Sequence, residues 1–249
     1  MTKKTQASDK AVVSWEDMMA TEAKEVAKTE RPSVGRISLA SGIMTYQDQA
    51  VPDNQLDCIV AAVIHEQVYY DKPYVAGVVN PPACFAFAPV GDPAKAHESV
   101  PERDYEGWPN CGSCKMNTFG SSTTGSGKGK ACGERRKLAI LPLLDNPEEY
   151  KQAEIAVLSL PVMSVRNWSN YVNLVSAQFQ RPSWGLITRV LVKPDPKSQF
   201  KVYFEAQAVV TDDFLQHIHP RLEMCMNTLN VPYDLTPPTE DKAEDSDKY

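Results

Sequence analysis

Four cysteines stand in the frame Cys84-x26-Cys111-x2-Cys114-x17-Cys132. Two residues between Cys111 and Cys114 let both thiolates reach one tetrahedral ion, and Gly112 eases the turn between them. Cys84 follows Pro81-Pro82, and Cys132 closes a stretch of Gly, Ser and Lys. Two short knuckles clamped across a long loop are the usual build of a structural zinc site with four thiolate ligands. The expected ligands are therefore Cys84, Cys111, Cys114 and Cys132, with His97 as a possible substitute for one of them. A CxxC alone also fits a redox dithiol, but no βαβ context surrounds this one.

Other chemistry finds less support. The run Gly120 to Lys130 invites a phosphate-loop comparison, but Ser122 holds the place of the first glycine and Gly129 the place of the final Ser or Thr. His217 and His219 are two apart on an expected helix and do not make a metal pair at i, i+4 spacing. There is no nucleophile elbow and no HExxH, so the chain is not expected to be an enzyme. A nuclease would need converging carboxylates, which the spacing does not offer. Basic residues do cluster: Lys128, Lys130, Arg135, Arg136 and Lys137 are opposed only by Glu134. Such groups bind phosphate without reading sequence. Tyr69, Tyr70, Tyr74, Phe85, Phe87 and Trp108 lie nearby in sequence, and aromatic faces beside positive charge suit stacking of single-stranded bases. The plainer alternatives are a solvated loop for the charges and core packing for the aromatics.

The elements around these residues are short and strand-rich. A helix is expected from Ser14, carrying Trp15, Met18, Met19, Ala23 and Val26 and ending at Pro32. Arg36–Ala40 and Ile43–Tyr46, split by Ser41-Gly42, read as a strand pair or a single bent strand. Leu56–Ile64 is nearly continuous in apolar residues, which predicts a strand buried on both faces. Val68–Tyr70 and Tyr74–Val79 read as shorter strands, followed by an irregular cysteine region that a metal would have to order. Lys137–Leu141 and Ala156–Leu160 are expected strands, with a turn of helix started by Asn146-Pro147 between them. Ser164 is expected to cap a helix whose apolar stripe is Val165, Trp168, Val172, Val175 and Phe179. Trp184–Val192 and Phe200–Val210 predict a hairpin turning at Lys193–Lys197. Thr211 is expected to cap a last helix carrying Phe214, Leu215, Ile218, Leu222, Met226 and Leu229 and kinked at Pro220.

At 249 residues and 42% hydrophobic content, the chain can bury one substantial core, or one core with a metal-held insertion. Residues 1–13 are polar and expected to be disordered, 14–235 to form one domain with the zinc insertion at about 81–136, and 236–249 to be an acidic disordered tail. That tail holds Glu240, Asp241, Glu244, Asp245 and Asp247 against Lys242 and Lys248, within a formal net charge of −6. Cys58 and Cys225 read as buried thiols in a reducing compartment. The polar start and short apolar runs predict no membrane span and a cytoplasmic protein.

The run Cys111-x2-Cys114-x2-Asn117-x-Phe119-Gly120-Ser121, followed by Gly127-Lys128-Gly129-Lys130-Ala131-Cys132-x2-Arg135-Arg136-x-Leu138, resembles a set of tailed-bacteriophage proteins of similar length. Cys84-Phe85-Ala86 and Leu160-Pro161-x2-Ser164-Val165-x2-Trp168-x2-Tyr171 are similar to them too, and the likeness spans roughly residues 36 to 210. The resemblance implies a single-stranded DNA-binding protein of phage replication or recombination. Its expected fold is β-rich α+β: an OB-like antiparallel barrel with a zinc-stabilised loop insertion and flanking helices. The acidic tail would recruit replication or recombination proteins. The rival is a zinc-stabilised protein–protein interaction module, a phage regulator of a host factor that never touches nucleic acid. A single-strand binder needs its basic residues along one groove with exposed aromatics, whereas an interaction module can scatter them.

Overall fold

A computed structural model describes residues 35–73, 80–123 and 127–236, together with Trp15, Met18 and Met19. The chain divides into two units, Met1–Val34 and Gly35–Tyr249. In the first, Trp15, Met18 and Met19 are helical. The rest of that expected helix, the expected strand Tyr74–Val79 and the acidic residues of the tail lie outside the described residues.

The second unit is a strand-rich α+β domain built on one curled, open, mixed sheet. Its strands are β1 (Gly35–Ser38), β2 (Thr45–Tyr46), β3 (Gln49–Ala50), β4 (Gln55–Tyr69), β5 (Cys84–Pro89), β6 (Cys132–Pro142), β7 (Ala156–Leu160), β8 (Leu186–Asp195) and β9 (Gln199–Val209). The order is β3-β2-β1-β7-β6-β4-β8-β9, with β5 beside β4. β1 and β7 are parallel, and every other neighbouring pair is antiparallel.

β4 is the spine. One edge carries β6, and its two ends pair with β8 and β5. Its apolar run is buried on both faces, as expected. Cys58 and Val60 enter one core with Leu138, Leu158 and Trp168, while Ile59 and Ile64 enter the other with Leu141, Tyr150, Ile218 and Leu229. Val68 and Tyr69 do not form a separate strand, because β4 runs unbroken to Tyr69. Nor is the cysteine region wholly irregular: Cys84 opens β5 and Cys132 opens β6.

Helix α1 (Val162–Phe179) begins two residues before the expected cap, with Pro161 at the N-cap. Ser164 is inside the helix and fully buried, and its Oγ accepts the Val202 N–H at 2.9 Å. Asn167 Nδ2 donates to Val202 O at 2.8 Å, so α1 covers part of the β9 edge. The buried stripe is therefore Ser164, Trp168, Tyr171 and Val175, whereas Val172 and Phe179 face outward. Helices α2 (Asp212–Ile218) and α3 (Leu222–Leu229) are separated by a 3-10 turn at His219–Arg221, so Pro220 divides the expected single helix rather than only kinking it. Thr211 takes the N-cap position of α2 without a side-chain cap bond. The β8–β9 strands extend to Asp195 and from Gln199, so their turn is tighter than Lys193–Lys197. The Asp195 carboxylate accepts from the Lys197 and Ser198 backbone N–H groups, closing it. Trp184 lies before β8, in a 3-10 turn.

Candidate functional site

Tyr69 is the last residue of β4, and it pairs with Cys84 on one side and Cys132 on the other. Residues on one rung of a sheet project from the same face. The two strand starts thus bring cysteines far apart in sequence onto one face. Cys111 and Cys114 reach the same place from the loop. Cys111 N–H donates to Ala94 O at 3.1 Å, and Lys95 bridges Asn110. Asn117 Nδ2 donates to Cys111 O at 2.7 Å. The tight return before the CxxC depends on Gly107, at φ +86°, where an added Cβ would lie 2.1 Å from Ser113 O. All four cysteines line one pocket with Gln67, Tyr69, Tyr105 and Trp108 among its walls.

Burial is the main reason that the free thiols are hard to ionise there. Burial first, and the neighbouring thiols second, push Cys84 up to about 11 and Cys111 and Cys132 up to about 12. A divalent cation would reverse that electrostatic balance. The donor set is soft sulfur, which suits zinc. The sulfurs do not yet form a closed set: among the described residues no group of three or more His, Cys, Asp or Glu side chains is gathered as a formed metal centre. The sheet supplies a reason. Cys84 and Cys132 are two strand spacings apart, about 9.5 Å between Cα atoms, with Tyr69 between them. Their thiols must lean inward to share an ion. His97 is not among the pocket-lining residues; its ring stacks on Phe85 at 5.0 Å and its Nδ1 bonds Ser99 Oγ. Cys58 and Cys225 are buried elsewhere in the two cores, and all six cysteines are free thiols.

The basic residues do not form one groove. β6 alternates, so Arg136 shares the thiol face with Glu134, while Arg135 and Lys137 project from the other. Arg136 bonds Glu134 at 3.2 Å and its side chain is largely buried. Lys137 is buried behind the sheet. Its Nζ donates to Leu229 O, lies 3.8 Å from fully buried Glu66 and sits 4.6 Å from the centre of the Phe87 ring. Tyr233 OH donates to the same Glu66 at 2.7 Å. Burial lowers the Lys137 pKa, although Glu66 opposes the shift. Tyr69 packs edge-on against Tyr105 and Trp108 is half-buried, so of Tyr69, Tyr70 and Trp108 it is Tyr70 that is exposed, while Tyr74 lies outside the described residues.

Sequence reasoning did not single out Phe119 as a contact. Its side chain is 82% exposed at the tip of the loop. Lys130 Nζ lies 5.2 Å from its ring centre and donates to Asn117 Oδ1 at 3.1 Å. Asn117 in turn holds Cys111 O, so the exposed aromatic and ammonium rest directly on the CxxC turn. Lys115 and Lys128 are exposed on the same loop. The signal available in the sequence was Phe119 itself, a large apolar residue between Thr118 and Gly120.

No family model, curated protein or solved structure matches the chain. Among the described residues, no helix is long and apolar enough to cross a membrane. The protein is a strand-rich α+β domain in which four thiols line one pocket at the end of the sheet, with Phe119 exposed on the adjoining loop.

Proposed function

We propose that the chain is a sequence-tolerant single-stranded DNA-binding protein. On this proposal Cys84, Cys111, Cys114 and Cys132 hold one structural zinc, and the curled sheet acts as an OB-like platform enlarged by extra strands. The observation that carries the proposal is the exposed Phe119 ring beside Lys130, anchored through Asn117 to the CxxC turn. Bound zinc supplies folding free energy to a loop with little core of its own. Phe119 stacks on a base, and Lys115, Lys128 and Lys130 neutralise phosphates, with Arg135 and Tyr70 as further contacts. None of these groups reads a base edge, so binding tolerates any sequence. The acidic tail would recruit replication or recombination proteins in a phage-infected bacterial cytoplasm.

Phe119→Ala should weaken binding to labelled oligo-dT by about 1–3 kcal/mol. Lys128→Ala should reduce the salt slope by about 0.7. Unchanged affinity in Phe119→Ala together with an unchanged slope in Lys128→Ala would reject this surface. The rival, a zinc-stabilised interaction module, draws support from the division of Arg135, Arg136 and Lys137 between two sheet faces and from the internal pairing of the latter two. It predicts no affinity for oligo-dT at all.

A further inference from the structure

Gln67 stands one rung in from the thiols on the same face of β4, opposite Ala86 and Glu134. It is only 5% exposed and lines the thiol pocket. Its Oε1 is buried without a hydrogen-bond partner. Buried polar atoms are rarely left so, and one facing a set of candidate ligands points to something that completes it.

On a β ladder the diagonal neighbours of residue 67 are the partners of residue 69, namely Cys84 and Cys132. A side chain as long as glutamine reaches such neighbours. Four thiolates around one dication leave a doubly negative centre, so an adjacent polar group has to offer hydrogen rather than oxygen. Half a turn of the carboxamide exchanges Oε1 for Nε2 at the same place, and the two ends of an amide are nearly alike in shape. Resting on the zinc site proposed above, we infer that Gln67 turns its Nε2–H toward the thiolates of Cys84 and Cys132 in the metal-loaded protein. There it is a positioning residue: it draws the two sulfurs inward over Tyr69 and raises the affinity of the centre. Groups that hold metal ligands in place in this way typically change affinity about 10–100-fold when replaced.

The test uses the full chain and zinc or cobalt(II) itself. Zinc affinity is measured by competition with a chromophoric chelator, and the cobalt form reports the thiolate set through its absorption bands. Gln67→Glu, which sets a carboxylate against the anionic centre, should weaken zinc at least about 10-fold and shift the cobalt–thiolate bands. Gln67→Met, which keeps length but offers no donor, should lose affinity while retaining the wild-type circular dichroism spectrum. A wild-type cobalt spectrum of four thiolates, with both variants binding zinc within twofold of wild type, overturns the role of Gln67 and leaves the zinc site standing. A wild-type protein that takes up neither metal overturns both.

Discussion

Cys84 and Cys132 begin their strands on the same rung of the sheet, each paired with Tyr69 from an opposite side. The β4 terminus therefore sets the separation of two of the four thiols, and the loop has to bring the other two to it. On the proposed zinc site, Cys111→Ser should abolish zinc uptake and loosen the loop between β5 and β6, leaving β4, β6 and β8 folded because their burial lies in the two cores. Amide exchange should show protection lost in the loop and kept in those strands. Stoichiometric zinc retained by the variant, or loss of protection throughout, would contradict this division.

Gly107 has no tolerable replacement. Its φ of +86° disfavours any side chain, and the Cβ of alanine would meet the Ser113 carbonyl at 2.1 Å. Gly107→Ala should cost at least about 2 kcal/mol and lower zinc affinity, since the CxxC turn must shift to make room. A variant with wild-type melting and zinc affinity would show that the turn does not depend on this close approach.

The burial of Lys137 beside Glu66 predicts that it contributes to stability rather than to binding. Lys137→Met leaves Glu66 buried without its cation and should cost about 3–5 kcal/mol in denaturant unfolding. Adding Glu66→Gln should restore most of that loss, because the buried charge is gone. Affinity for oligo-dT should stay near wild type under conditions where the variant is folded. A stable Lys137→Met that binds much more weakly would return Lys137 to the contact surface.

The spine of the fold was legible in the residues because burial on both faces writes a continuous apolar run, as in Leu56–Ile64. The β7 strand was legible for similar local reasons, and Pro220 marked an irregularity in the last helix that the fold makes a full division. On α1, Trp168 and Val175 are buried as their spacing implies, but Tyr171 replaces Val172 on that face, and Ser164, which looks like a cap in sequence, is spent on the backbone of Val202. The four cysteines drew attention to one another by spacing. The basic cluster misled because a strand alternates: adjacent Arg135, Arg136 and Lys137 are neighbours in sequence and occupy two faces in space. Glu66, the partner that removes Lys137 from solvent, lies on another strand, so only the sheet register identifies it.

Fluorescence anisotropy of labelled oligo-dT, titrated with the full chain at several salt concentrations beside a duplex of equal length, tests the central claim most directly. The account predicts binding at micromolar protein or tighter, an affinity that falls linearly with the logarithm of salt, and a weaker response from the duplex. Absence of salt-dependent binding to the single strand at micromolar protein would contradict it and favour the interaction module.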